Sequence, residues 1–114
     1  MWGSSDIPTR VVYRIVHTEP PTEADFLSRK ALGNSAPRDV RLWDGISVYD
    51  RVEAAQRQAD RFPHLGRFIA ALRLPEDGSI RVEKTLSNRN HYTLWGDAVS
   101  MLARVENVVP VEVR

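Results

Sequence analysis

Four residues of this chain carry side chains suited to anion binding or proton chemistry. Arg14 interrupts a hydrophobic run, Ser47 and Tyr49 stand at the end of a short one, and His91 falls in the polar stretch S-N-R-N-H-Y. A guanidinium meets phosphate oxygens through two parallel hydrogen bonds, so Arg14 is a candidate anion contact. The same residue also fits a half-exposed strand, facing solvent or paired with a carboxylate such as Glu112. Ser47 and Tyr49 lie in G-I-S-V-Y, a strand that runs into a helix, and a helix start concentrates unpaired N–H groups. Ser47 reads either as a ligand contact or as a small strand residue bonding locally. Tyr49 reads either as a stacking surface or as a core aromatic. His91 shares its stretch with Arg89 and Tyr92; a solvated His91 and a packed Tyr92 are the simpler alternative to a site role. His17 closes the first hydrophobic run, as a loop histidine or as a further site residue.

Composition narrows the chemistry. Sixteen basic and fifteen acidic residues leave a net charge of +1, with no global pull toward nucleic acid or membrane. One local basic cluster exists, Arg29, Lys30, Arg38 and Arg41, with Asp39 the only acid between its ends. It reads as a solvated face or as a phosphate-binding patch. The chain has no cysteine, which excludes disulfides, thiolate metal sites and a cysteine nucleophile. Its three histidines lack paired spacing, so no metal is expected. There is no G-x-S-x-G, no Walker loop and no dinucleotide fingerprint. No long apolar run could span a membrane, and the first residues, MWGSSDIPTR, lack the apolar core of a secretory signal. A cytoplasmic protein is the expectation.

The elements that must position these residues follow from hydrophobic pattern and punctuation. The chain has 114 residues, 42% of them hydrophobic, enough for one domain with a core. Residues 1–10 read as a loose lead-in and 11–114 as a single α+β domain. Val11 to His17 is β-branched and aromatic, a strand with Tyr13, Ile15 and His17 on one face and Val12, Arg14 and Val16 on the other. After Pro20-Pro21, Thr22 with Asp25 opens a predicted helix whose stripe is Phe26, Leu27 and Ala31 and whose C-cap is Gly33. Ile46 to Tyr49 is a strand. Asp50 and Glu53 form the capping pattern D-x-x-E for a second helix, with Val52, Ala55, Ala59 and Phe62 turned inward. Gly66 marks a turn. Arg67 to Leu74 is apolar on both faces, as an interior strand is, and Ile80 to Thr85 alternates. Ser87 to Tyr92 reads as a loop, and Asp97 as the N-cap of a short helix with Val99 and Leu102 inward. The tail V-E-N-V-V-P-V-E-V reads as a last strand, at an edge or bulged because of Pro110. The sum is a compact mixed or antiparallel sheet with two main helices.

This order, and the placement of R14, G-I-S-V-Y and R-N-H-Y-T-L-W-G-D, resembles the ADP-ribosyltransferase-like fold of small NAD-dependent toxins and RNA 2′-phosphotransferases. The resemblance runs roughly from Val11 to Val113. It implies NAD as cofactor, with Arg14 and His17 on the phosphates or ribose, Ser47 on the ribose, and Tyr49 and Tyr92 stacked on a ring. It implies His91 or Arg89 on an acceptor phosphate or leaving group. It also asks for a late glutamate to stabilise the positive charge that develops on the ribose. No Q-x-E or E-x-E stands in the tail; Glu106 and Glu112 are the late candidates, with Glu106 taken as the catalytic one. The implied partners are a nucleotide, a protein or nucleic-acid acceptor, and an antitoxin-like or second copy of the chain. The alternative is a non-catalytic ligand- or protein-binding module that keeps the scaffold.

Overall fold

The first strand forms where the β-branched run predicts it, as β1 (Val11–Val16). In the computed structural model, residues 11–86 and 88–112 are described; the expected lead-in at 1–10, Ser87 of the polar stretch and Val113 of the tail lie outside them. The remaining elements are β2 (Ile46–Tyr49), α1 (Val52–Arg61), β3 (Phe68–Arg73), β4 (Arg81–Lys84), β5 (His91–Trp95), α2 (Ala98–Leu102) and β6 (Val105–Pro110). The strands make one six-stranded sheet in the order β4-β5-β2-β1-β3-β6, and every pairing is antiparallel. The architecture is α+β, with the antiparallel of the two expected sheet types.

Two cores cover the two faces of the sheet. On one, Val12, Val16, Val48, Ala70, Leu72, Tyr92 and Leu94 pack with Phe26 and Met101. On the other, Ile15, Tyr49 and Ile69 pack under Ala54, Ala55 and Ala59 of α1. Three alanines on one helix face let α1 approach the sheet closely, and burying Ile15 and Ile69 contributes roughly 2 kcal/mol each. The C-terminal segment is pinned to this helix by buried Gln56, which donates to the Glu112 carbonyl at 3.1 Å and accepts from the Glu112 N–H at 3.1 Å.

Several expectations are corrected. The predicted helix from Thr22 to Gly33 is one 3-10 turn, Glu23–Phe26, after which Leu27 is extended (φ −80, ψ 137). The Asp25 carboxylate folds back onto the Thr22 and His17 N–H groups, so it closes a turn, and Ala31 ends up exposed. The second of the two helices is therefore the short α2. The Asp50 cap does not form: the N-cap is Arg51, and the Asp50 carboxylate accepts from Asn90 Nδ2 at 2.9 Å. Phe62 and Val99, expected inside, are 39% and 59% exposed. The stretch read as a loop turns at Asn88–Asn90 and then becomes β5, beginning at His91. Pro110 ends an edge strand, and that strand also carries an irregularity, away from the proline: Ala71 pairs with Asn107 and Leu72 with Val105, so the register skips Glu106 of β6.

β1 treats its two neighbours differently. With β3 it pairs at six consecutive positions, from Val11↔Arg73 to Val16↔Phe68. With β2 it pairs once, at Tyr13↔Tyr49. Gly66 leads into the β3 side with φ 151, and a Cβ there would stand 2.3 Å from the Val16 carbonyl oxygen, so only glycine fits.

Candidate functional site

β2 is the strand on which the candidate residues meet. Its register to β5 sets Ser47 opposite Thr93 and Tyr49 opposite His91, so these four side chains share one face. Gly45 at the mouth of β2 makes this register possible, because a Cβ there would collide with Thr93 Cγ2 at 2.4 Å. His91 Nε2 lies 2.9 Å from Ser47 Oγ. Its Nδ1 lies 3.2 Å from the Thr85 carbonyl oxygen and 3.0 Å from Thr85 Oγ1, which in turn is 2.7 Å from Thr93 Oγ1. The Thr85 carbonyl can only accept, so a proton on Nδ1 satisfies it and leaves Nε2 to accept from the Ser47 hydroxyl; in the other tautomer Nδ1 accepts from Thr85 Oγ1 and Nε2 donates to Ser47 Oγ. The edge of the His91 ring meets Tyr49, with centroids 5.6 Å apart and planes at 79°. His91, Thr85, Thr93 and Tyr49 are buried, whereas Ser47 is exposed. Burial lowers the His91 pKa from 6.5, outweighing the opposing hydrogen bond with Thr85, and the nearby charge of Lys84 lowers it further.

Arg14 reaches the same residue from the other side. By alternation it belongs with Val12 and Val16, on the face opposite the Ser47 hydroxyl. Its guanidinium fills the opening where the β1–β2 ladder stops: Nη1 donates to the Ser47 carbonyl at 2.9 Å and Nε to the Asp25 carbonyl at 3.1 Å. It has no ion pair with a carboxylate among the described residues. The expected alternative partner, Glu112, is instead held at its N–H by Gln56 on α1. Desolvation pushes the Arg14 pKa down to about 10, against the raising influence of Asp25 and Tyr49, so the group stays charged at neutral pH. His17 joins from the end of β1, its Nδ1 3.2 Å from Asp25 Oδ1.

Arg14, Ser47, Tyr49 and His91 thus form one line of contacts, with His17 at its far end through Asp25. Tyr92 does not join them. It points to the opposite face, 4% exposed in the core with Val48 and Leu94, so stacking on a ligand ring is ruled out for it in this structure. Glu106 does not join them either. It stands on edge strand β6, with β1 and β3 between it and β2, and grips Arg73 through Oε2 to Nε at 2.9 Å and Oε1 to Nη2 at 3.2 Å. Arg89 is exposed on the turn before β5.

Sequence reasoning missed Thr85 and Thr93. Two threonines beside a histidine, Thr93 on β5 and Thr85 just past the end of β4, are a signal only once β5 is recognised. It also did not foresee that the tryptophans would pair with cations. Lys30 lies over Trp43 at 5.5 Å, while Arg41 and Arg81 lie over Trp95 at 5.6 and 4.4 Å. Arg41, from the basic cluster, is shared with Glu83 at 2.6 Å, and Glu83 also takes Arg81 at 3.2 Å.

A hollow of about 170 Å³ lies on the Tyr92 side of the sheet, between Phe26, Ile46, Asp44, Asp97 and Met101. It is lined by none of Arg14, Ser47, Tyr49 and His91, which lie outside it. Among the described residues no group of three or more histidines and carboxylates is placed to hold a metal, and no helix is long and apolar enough to cross a membrane. Comparison with family models, with curated proteins and with solved structures returns no match.

Proposed function

We propose that the chain is a binding module for a nucleotide-class ligand such as NAD, held at the β1–β2 opening by Arg14 and Ser47. The observation that carries this reading is Arg14: a half-buried guanidinium without a carboxylate partner among the described residues, one residue's width from an exposed hydroxyl. Two backbone carbonyls take part of its fork, and the nearby Asp25 carboxylate, already bonded to the Thr22 and His17 N–H groups, offsets its charge without pairing to it. A ligand phosphate fits a guanidinium at such a place. The exposed Ser47 hydroxyl would then meet the sugar. The resemblance to ADP-ribosyltransferase-like proteins supports the ligand class. Transfer of ADP-ribose is less well supported, because the late carboxylate that the reaction wants is committed to Arg73 on the far edge of the sheet.

The test is calorimetric titration of the full chain with NAD and, separately, with AMP. Specific binding would raise the melting temperature, by about 2.7 kcal/mol of stabilisation at a hundredfold excess over Kd. Ser47→Ala, which removes the exposed hydroxyl and its bond to His91 Nε2, is expected to weaken binding about tenfold. Arg14→Lys, which keeps the charge and loses the fork, is expected to weaken it more. Absence of any nucleotide binding, or binding indifferent to both changes, sinks the proposal.

A further inference from the structure

The geometry points to Ser47 as a nucleophile activated by His91, able to take an acyl group from an activated ester, an activity beyond ligand binding. Three observations carry this. The hydroxyl is on the surface while its partner is inside: Ser47 is exposed and His91 only 5% exposed. The imidazole is placed to act as a base: with the proton on Nδ1, which faces the Thr85 carbonyl oxygen at 3.2 Å, Nε2 is open to the Ser47 hydroxyl at 2.9 Å. The ring cannot swing away, being held by Thr85 Oγ1 at 3.0 Å and by the Tyr49 edge contact. Nucleophile, base and orienting group are the recurring parts of covalent catalysis, and here a carbonyl and a hydroxyl of Thr85 take the orienting place that a carboxylate often has.

The step balances with these groups alone. The Ser47 Oγ–H proton passes to His91 Nε2 as the Oγ–C bond forms at the ester carbonyl. The bond to the leaving alcohol then breaks, and His91 Nε2–H returns the proton to that oxygen. A water then attacks the acyl carbonyl, its proton passing to His91 Nε2, and that proton goes to Ser47 Oγ as the acyl–Oγ bond breaks and the acid leaves. A positioned general base supplies roughly 10²–10⁴ in rate. This magnitude suits an ester with a good leaving group and is far too small for an unactivated amide, so the substrate class is the activated ester.

The test uses an alkyl fluorophosphonate, which forms an Oγ–P bond and expels fluoride, followed by peptide mass spectrometry of the intact chain's digest. Ser47 is expected to be labelled at least a hundredfold faster than Ser79 and Ser100, exposed serines of the same molecule whose hydroxyls have no histidine partner. That internal comparison needs no variant to fold. In His91→Gln the Ser47 rate is expected to fall to that of the control serines, and in Thr85→Val, a positioning change, to fall less. Equal labelling of the three serines, no labelling of Ser47, or an unchanged rate in a folded His91→Gln would each overturn the inference. None of these outcomes depends on whether NAD binds, so this proposal and the binding proposal fail separately.

Discussion

The two sides of β1 are built by different means. Toward β3 the strand is joined by backbone, six consecutive partner pairs with apolar side chains above and below. Toward β2 it is joined once by backbone, at Tyr13↔Tyr49, and beyond that by the Arg14 side chain bonded to the Ser47 carbonyl, with Asp25 bonded to the His17 N–H. A ladder satisfies its own polar groups wherever strands run together. Where the ladder stops, side chains must do the same work, and side chains bring charge and titration with them. The candidate site lies on the side-chain-built seam, next to a backbone-built frame rigid enough to hold it.

This contrast can be broken from either side. The largest effect is expected on the frame. Gly66→Ala would press a Cβ onto the Val16 carbonyl and force a disfavoured φ, costing about 3 kcal/mol in urea unfolding. A loss below 1 kcal/mol would mean that the β1–β3 side is softer than its register implies. Next comes the seam itself. Arg14→Met keeps the aliphatic stem and leaves the Asp25 and Ser47 carbonyls without their donor, for an expected loss of about 2 kcal/mol. If stability is unchanged, Arg14 is a ligand residue only and the seam closes without it.

A smaller effect separates the two regions by pH. His91 has its folded pKa lowered below the ordinary 6.5 by burial, so the unfolded chain binds its proton more readily. The stability that neutral His91 provides is complete above about pH 6.5 and is lost as pH falls through the folded value. Thermal melts across this window should show a declining limb that His91→Gln flattens and that Gly66→Ala leaves in place. The smallest effect is expected at Glu106. Glu106→Gln removes a surface pair and should change stability by about 0.5 kcal/mol, with nucleotide binding untouched. A loss of nucleotide binding would return Glu106 to the site.

The frame was legible in the sequence because it rests on pattern. The strands read at Val11 to His17 and Arg67 to Leu74 form within a residue of those bounds, Ala55 and Ala59 of α1 face the core though Phe62 does not, and Pro110 correctly marked an edge. The seam was legible only in part. Arg14, Ser47, Tyr49 and His91 were recognisable as unusual residues, but which of them touch depends on β5, and β5 starts inside a run of polar residues. His91 and Thr93 are polar and buried because they satisfy each other's neighbours across strands, a long-range condition that local pattern does not encode. The turn at Glu23–Phe26 misled for a related reason. Thr22 and Asp25 carry a helix-start signal, yet the Asp25 carboxylate is also claimed by His17 on β1. Tyr92, read in a loop as either stacked on a ligand or packed, is packed in the core, and His91, its expected solvated neighbour, is buried with it.

The position of β2 also has a consequence in time. Its partners come from both ends of the chain, β1 at residues 11–16 and β5 at residues 91–95, whereas β4 and β5 are near neighbours in sequence. Held by a four-pair ladder on one side and by a single pair on the other, this short strand is expected to exchange its amide protons before β1 and β3 do, opening Ser47 and His91 together.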